Sequence, residues 1–196
     1  MARGACFFIL GGARAGKSAF ALRLAREGEQ WTSGEVGFIA TAEAHDEDMQ
    51  QRIVRHRAER PAHWSTLEAP RYINRALRQY AEKRIVIIDC LTLFVSNWLL
   101  ATASTAVCER QVTAVIEDCL AIGREQSQTL IPVSNEVGLG VVPETSLGRD
   151  FRDMLGKVNQ RLAQAADRVY WLVAGLPVCI KPSIVDESES GRIWRQ

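Results

Sequence analysis

An octapeptide near the start of the chain constrains its fold more than any other feature: Gly11-Gly12-Ala13-Arg14-Ala15-Gly16-Lys17-Ser18. It fits G-x-x-x-x-G-K-[ST] at every fixed position. The apolar run Cys6-Phe7-Phe8-Ile9-Leu10 leads in, and residues 19–26 lead out with helical character. That is the strand–loop–helix setting the pattern requires. Glycines let such a loop curl until its backbone N–H groups converge on phosphate oxygens, and the positive end of the following helix adds to the attraction. Lys17 is then placed to reach the β and γ phosphates, and the Ser18 hydroxyl to hold Mg²⁺. The expectation is a nucleoside triphosphate site.

Further along, residues 36–40 read as a buried strand ending at Thr41. Ligands gather at the carboxyl ends of strands in an open parallel sheet, which makes Thr41 a candidate nucleotide contact; a plain capping or loop threonine is the alternative. Residues 46–58 predict a helix, with Asp46, Glu47 and Asp48 at its start and Arg52, Arg55 and Arg57 towards its end, as the helix dipole favours. Met49, Ile53 and His56 share one face of it. From spacing alone, a histidine so placed is more often packed or solvated than catalytic. Residues 63–68 read as a short extended piece, and Pro70 opens a helix to about residue 81.

Residues 84–89 form a second strong signal, an apolar strand ending in Asp89, whose carboxylate suits Mg²⁺ or its water shell. Helices are expected at about 91–101, 107–126 and 146–166, and strands at 129–133 and 168–173. Pro132 argues for an edge or an end of its strand. Residues 134–143 form a loop with two polar groups, Asn135 and Glu136, able to contact a substrate. Strands alternating with helices predict an α/β fold, a mostly parallel sheet with helices on both faces, as in P-loop NTPases of the RecA-like kind. One domain is expected over 1–181, followed by a polar tail at 182–196.

A chain of 196 residues with 47% hydrophobic content suits such a domain. The net charge of +1 argues against a dedicated nucleic-acid surface. No apolar stretch approaches the roughly 18 residues that would span a bilayer. The amino terminus lacks the small-residue cleavage site of a secretory signal, and the five cysteines are scattered without a C-x-x-C pair. A cytoplasmic protein with buried thiols is expected.

Several stretches taken together resemble one family, the bifunctional adenosylcobinamide kinase/adenosylcobinamide-phosphate guanylyltransferases of cobalamin biosynthesis. The matching pieces are Leu10 to Ser18, Ile39-Ala40-Thr41, Asp46 to Met49 with Arg52-Ile53 and His56, and Arg60 to Trp64 with Glu68. Later come Ile88 to Thr92, Val133 to Gly138 and Gly156 to Gln160. The combination of R-I-x-x-H, R-P-A-H-W and N-E-V-G is far more specific than the phosphate loop alone. The resemblance implies phosphorylation of adenosylcobinamide by a nucleoside triphosphate (ATP or GTP), then transfer of GMP from GTP to the resulting phosphate, with pyrophosphate released. It makes His56 the carrier of a covalent GMP, and it places Thr41, Glu68 and Asp89 at the guanine-nucleotide site; the charges of Arg55, Arg57 and Arg60 are suited to offsetting those of the phosphates. It also suggests a homo-oligomer, a trimer. Three positions depart from the common pattern: Ala15 stands where serine is frequent, Arg55 where some members have a second histidine, and Asp89 where some have glutamate. Without the resemblance, a plain P-loop kinase or a GTP-gated switch would also fit the phosphate loop.

Overall fold

The computed structural model describes residues 4–32, 35–44 and 46–182. Seven strands form one sheet in the order β3-β2-β4-β5-β1-β6-β7. They are β1 (Phe7–Gly11), β2 (Val36–Ala40), β3 (Ser65–Glu68), β4 (Ile85–Asp89), β5 (Thr129–Asn135), β6 (Arg168–Val173) and β7 (Leu176–Lys181). All neighbours run parallel except β6 and β7. Among the described residues six helices connect them: α1 (Lys17–Thr32), α2 (Glu47–Ala58), α3 (Ile73–Arg78), α4 (Leu91–Ala101), α5 (Thr105–Glu125) and α6 (Ser146–Ala165).

Alternate side chains of a strand point to opposite faces, so a sheet covered on both sides reads as a continuous apolar run. β1 and β4 behave this way. Phe8, Leu10, Val86 and Ile88 enter a core closed by α3, α4, α5 and α6. Phe7, Ile9, Ile85 and Ile87 enter the opposite core, closed by α1 and Trp64. Both faces are covered, but unevenly. α2 contributes to neither core and has no buried residue. β5 lies between the phosphate-loop strand β1 and the acid-bearing strand β4, the order of the RecA-like P-loop NTPase fold.

Two local expectations are corrected. Pro132 sits in a central strand, paired with Ile88 of β4. It is tolerated because the β5–β1 ladder runs from Ile9↔Val133 to Gly11↔Asn135 and resumes only at the Cys6↔Leu130 bridge, leaving a gap where the missing N–H falls. The helix expected from Pro70 begins only at Ile73. The carbonyls of Pro70 and Arg71 accept instead from Asn97 Nδ2 (3.2 Å) and Trp98 Nε1 (3.1 Å). A tight hairpin centred on Ala174 and Gly175, both at positive φ, joins β6 to β7, so Leu176 and Pro177 belong to the edge strand β7. Of the expected tail at 182–196, all but Pro182 lies outside the described residues.

Candidate active site

The carboxyl ends of β1, β2, β3, β4 and β5 surround a cavity of about 440 Å³. The phosphate loop forms its floor through Ala13, Arg14, Ala15, Lys17 and Ser18. Two glycines shape that loop. A Cβ on Gly11 would lie 2.5 Å from the Leu172 carbonyl oxygen, and Gly16 adopts φ +91° with Gly175 Cα 3.2 Å from where its Cβ would be. The Gly175 N–H donates to the Ala15 carbonyl (3.1 Å), so the tip of the β6–β7 hairpin braces the loop from behind.

Lys17 is 8% exposed, and its ammonium donates to the Gly12 carbonyl at 2.6 Å. Burial pulls its pKa below the ordinary lysine value, opposed by Cys90 and Asp89. Asp89 closes β4. Burial pushes its carboxyl up, opposed first by a hydrogen bond from Ser18 and then by the charges of His56, Arg60 and Lys17. Ser18, Asp89, Lys17, His56 and Arg60 all line the one cavity.

Asp46 caps α2, accepting from the Met49 N–H at 2.7 Å. Met49, Arg52, Ile53 and His56 turn from α2 towards the cavity, so the apolar face of this helix is a cavity wall. Arg60, just past its end, stacks its guanidinium 3.5 Å from the Phe38 ring centre and donates to Thr66 Oγ1 at 3.3 Å. Its Nε is buried without a partner, and burial lowers its pKa. A desolvated guanidinium of this kind is suited to a phosphate. Glu68 and Asp89 register on opposite sides of Ala40, and both reach the cavity.

Not every expected residue is there. Thr41 is fully buried: its hydroxyl donates to the Cys90 carbonyl (2.6 Å) and accepts from the Cys90 N–H (2.8 Å), while Asn97 holds its carbonyl at 2.8 Å. It fixes the turn after Asp89 and is not a lining group. Arg57 is exposed and does not line the cavity. His63 pairs with Glu29 at 2.9 Å and stands edge-on to Trp64, also away from the cavity. Sequence reasoning did not single out Cys90, Thr92 and Leu93, which line the cavity from the start of α4. Thr92 Oγ1 accepts from the Asn135 N–H (2.9 Å), and Asn159 Nδ2 donates to the Asn135 carbonyl (3.0 Å), which steadies Asn135 at the cavity edge. The signals for these residues were their position just after the end of β4 and, for Cys90 and Thr92, their place in the matching piece Ile88 to Thr92.

Oxygen donors from Ser18 and Asp89, side by side at the end of a phosphate loop, fit Mg²⁺, which takes one or two protein oxygens and completes its shell with phosphate and water. No group of three or more His, Cys, Asp or Glu among the described residues could cage a metal by itself. None of the described helices is long and apolar enough to cross a membrane.

A phosphate loop on β1, an acid on β4 and a basic cavity between them define a P-loop nucleotide-binding protein. The chain belongs to the cobinamide kinase / cobinamide phosphate guanyltransferase family, whose profile matches residues 7–180. It is 46% identical over 175 residues to the bifunctional adenosylcobalamin biosynthesis protein CobP of Pseudomonas aeruginosa, covering 88% of this chain and 95% of that one. The bifunctional adenosylcobalamin biosynthesis proteins CobU of Salmonella typhimurium and Escherichia coli are 38% and 35% identical over 182 residues, covering 88% of this chain and 98% of each.

Proposed function

We propose that this protein carries out two successive transfers in one cavity: phosphorylation of adenosylcobinamide, then guanylylation of the product. The observation that carries the reading is that His56 shares a cavity with the phosphate loop and Asp89, in a chain matched to the family over residues 7–180. In the first transfer the aminopropanol hydroxyl oxygen attacks the γ-phosphorus of ATP or GTP, the bond to the β–γ bridging oxygen breaks, the nucleoside diphosphate leaves and the hydroxyl proton passes to solvent. Lys17 and the loop N–H groups hold the β and γ phosphates, and Arg60 offsets charge at the cavity wall. Ser18 and Asp89 are the residues that would hold Mg²⁺, which supplies charge neutralisation between phosphates.

In the second transfer an imidazole nitrogen of His56 attacks the α-phosphorus of GTP. A P–N bond forms, the bond to the β-phosphate oxygen breaks, and pyrophosphate departs. The phosphate of adenosylcobinamide phosphate then attacks the same phosphorus, the P–N bond breaks, and adenosylcobinamide-GDP is released with His56 neutral again. A neutral imidazole is a good nucleophile near pH 7, which suits this exchange. A homotrimer, as the family resemblance suggests, and a cytoplasmic location, as the scattered cysteines suggest, complete the reading, and light scattering would test the assembly. The direct test incubates the protein with Mg²⁺, GTP and adenosylcobinamide and identifies the corrinoids by mass. Adenosylcobinamide phosphate and adenosylcobinamide-GDP are expected, and an unchanged corrinoid would overturn the proposal.

A further inference from the structure

α2 is a partition as well as a cavity wall. On its far flank lies an open groove of about 600 Å³, lined by Glu43, Gln50, Val54 and Pro70 together with Ala42, Ile53 and Glu68. The last three also line the nucleotide cavity, so the two spaces adjoin across these residues. Met49, Ile53 and His56 turn one face of α2 to the cavity, while Gln50 and Val54, four residues apart, turn the adjoining face to the groove. Ile53 belongs to both and lies three residues before His56, on the same side of the helix.

The two spaces differ in charge. Arg14, Lys17, Arg52 and Arg60 line the cavity. Among the described residues that line the groove, none is basic; its polar groups are Glu43, Glu68 and the amide of Gln50, between apolar surfaces. An acceptor with matching character carries its phosphate at one end of a flexible arm and neutral amides, which donate hydrogen bonds, on a bulky body at the other.

The geometry points to this groove as the acceptor subsite: it receives the amide-bearing body and arm of the corrinoid, and passes the reacting hydroxyl or phosphate beneath Ile53 to the cavity. This inference rests on the two-transfer reading above and adds where the second substrate enters. Gln50 and Glu68 supply polar contacts for amides, and Val54, 63% exposed, supplies apolar surface.

The test uses Val54→Trp to fill the groove and Gln50→Ala to remove one polar contact. Both positions are exposed on a helix with no buried residue, so folding is not at stake. Three readouts are compared with wild type: retention of label from α-labelled GTP on the chain, KM for adenosylcobinamide in phosphorylation, and retention of the coloured corrinoid in equilibrium dialysis. For Val54→Trp we expect unchanged labelling with KM raised about tenfold or more and dialysis affinity reduced in parallel, about 1.4 kcal/mol for each tenfold. For Gln50→Ala the same pattern is expected at a few-fold. Wild-type KM and corrinoid affinity in Val54→Trp would overturn the inference, as would a loss of GTP labelling equal to the loss of corrinoid binding. If the wild-type chain takes no label at all, the covalent route is wrong, while KM and dialysis still judge the groove.

Discussion

α1 and α2 both face the nucleotide cavity, yet they are held in opposite ways. α1 begins at Lys17 and drives Phe20, Ala21, Leu22, Leu24 and Ala25 into the core, so the phosphate loop is anchored to the most buried part of the sheet. α2 buries nothing; it is fixed by the Asp46 cap, by the Arg26 contact with the Glu59 carbonyl (3.0 Å) and by Arg60 on Phe38. The phosphate-holding element is part of the core, and the histidine-bearing element is laid over the sheet edge. A protein that must hold a triphosphate in place and also admit a second, bulky substrate beside His56 gains from that division.

The largest effect should come from the anchored side. Lys17→Ala is expected to lower both transfers by about 10²–10³-fold, the scale of losing one group that stabilises transition-state charge. Loss of only one transfer would separate the two sites and break the shared-cavity account. The contrast in packing gives the next effect. Leu24→Ala should cost about 2–5 kcal/mol in urea unfolding, as fully buried leucines do. Ile53→Ala should cost less than about 1 kcal/mol, because its side chain covers a cavity and no core. Equal costs would mean that α2 is as much a core element as α1.

Arg60→Lys keeps the charge but loses the flat stack on Phe38 and the fixed fork. Both transfers should fall by about 10- to 100-fold, the worth of a hydrogen bond between charged groups. Steady-state rates would show it, and wild-type rates would remove Arg60 from the site. The smallest effect concerns stability. Burial raises the Asp89 pKa above 3.8, so the folded chain holds this proton more tightly than the unfolded one. The stability tied to that proton is full below 3.8 and is lost as pH rises through the folded value. In EDTA at pH 7, Asp89→Asn should therefore melt no lower than wild type while losing activity. A fall of several degrees would mean that the ionised carboxylate holds the fold together.

The same contrast separates what the sequence revealed from what it did not. The phosphate loop, its helix and the acid of β4 were legible because backbone geometry and chemistry impose the same residues at those positions. The start of α2 at its Asp46 cap was legible for a similar reason. The role of its apolar stripe was not: spacing says that Met49, Ile53 and His56 share a face, but not whether that face meets a core or a cavity. Thr41 looked like a ligand contact because it follows a strand end, and only the three-dimensional path of the chain shows Cys90 claiming its hydroxyl. Pro132 misled because the cost of a missing N–H depends on which neighbouring strand is due a bond there.

The measurement that bears most directly on the shared cavity and its histidine mixes the protein with Mg²⁺ and α-labelled GTP, denatures it and asks whether label stays on the chain. The account predicts an acid-labile, base-stable adduct that disappears in His56→Ala, a variant that still phosphorylates adenosylcobinamide. No adduct while GTP is demonstrably bound, or an adduct of equal amount in His56→Ala, would contradict it.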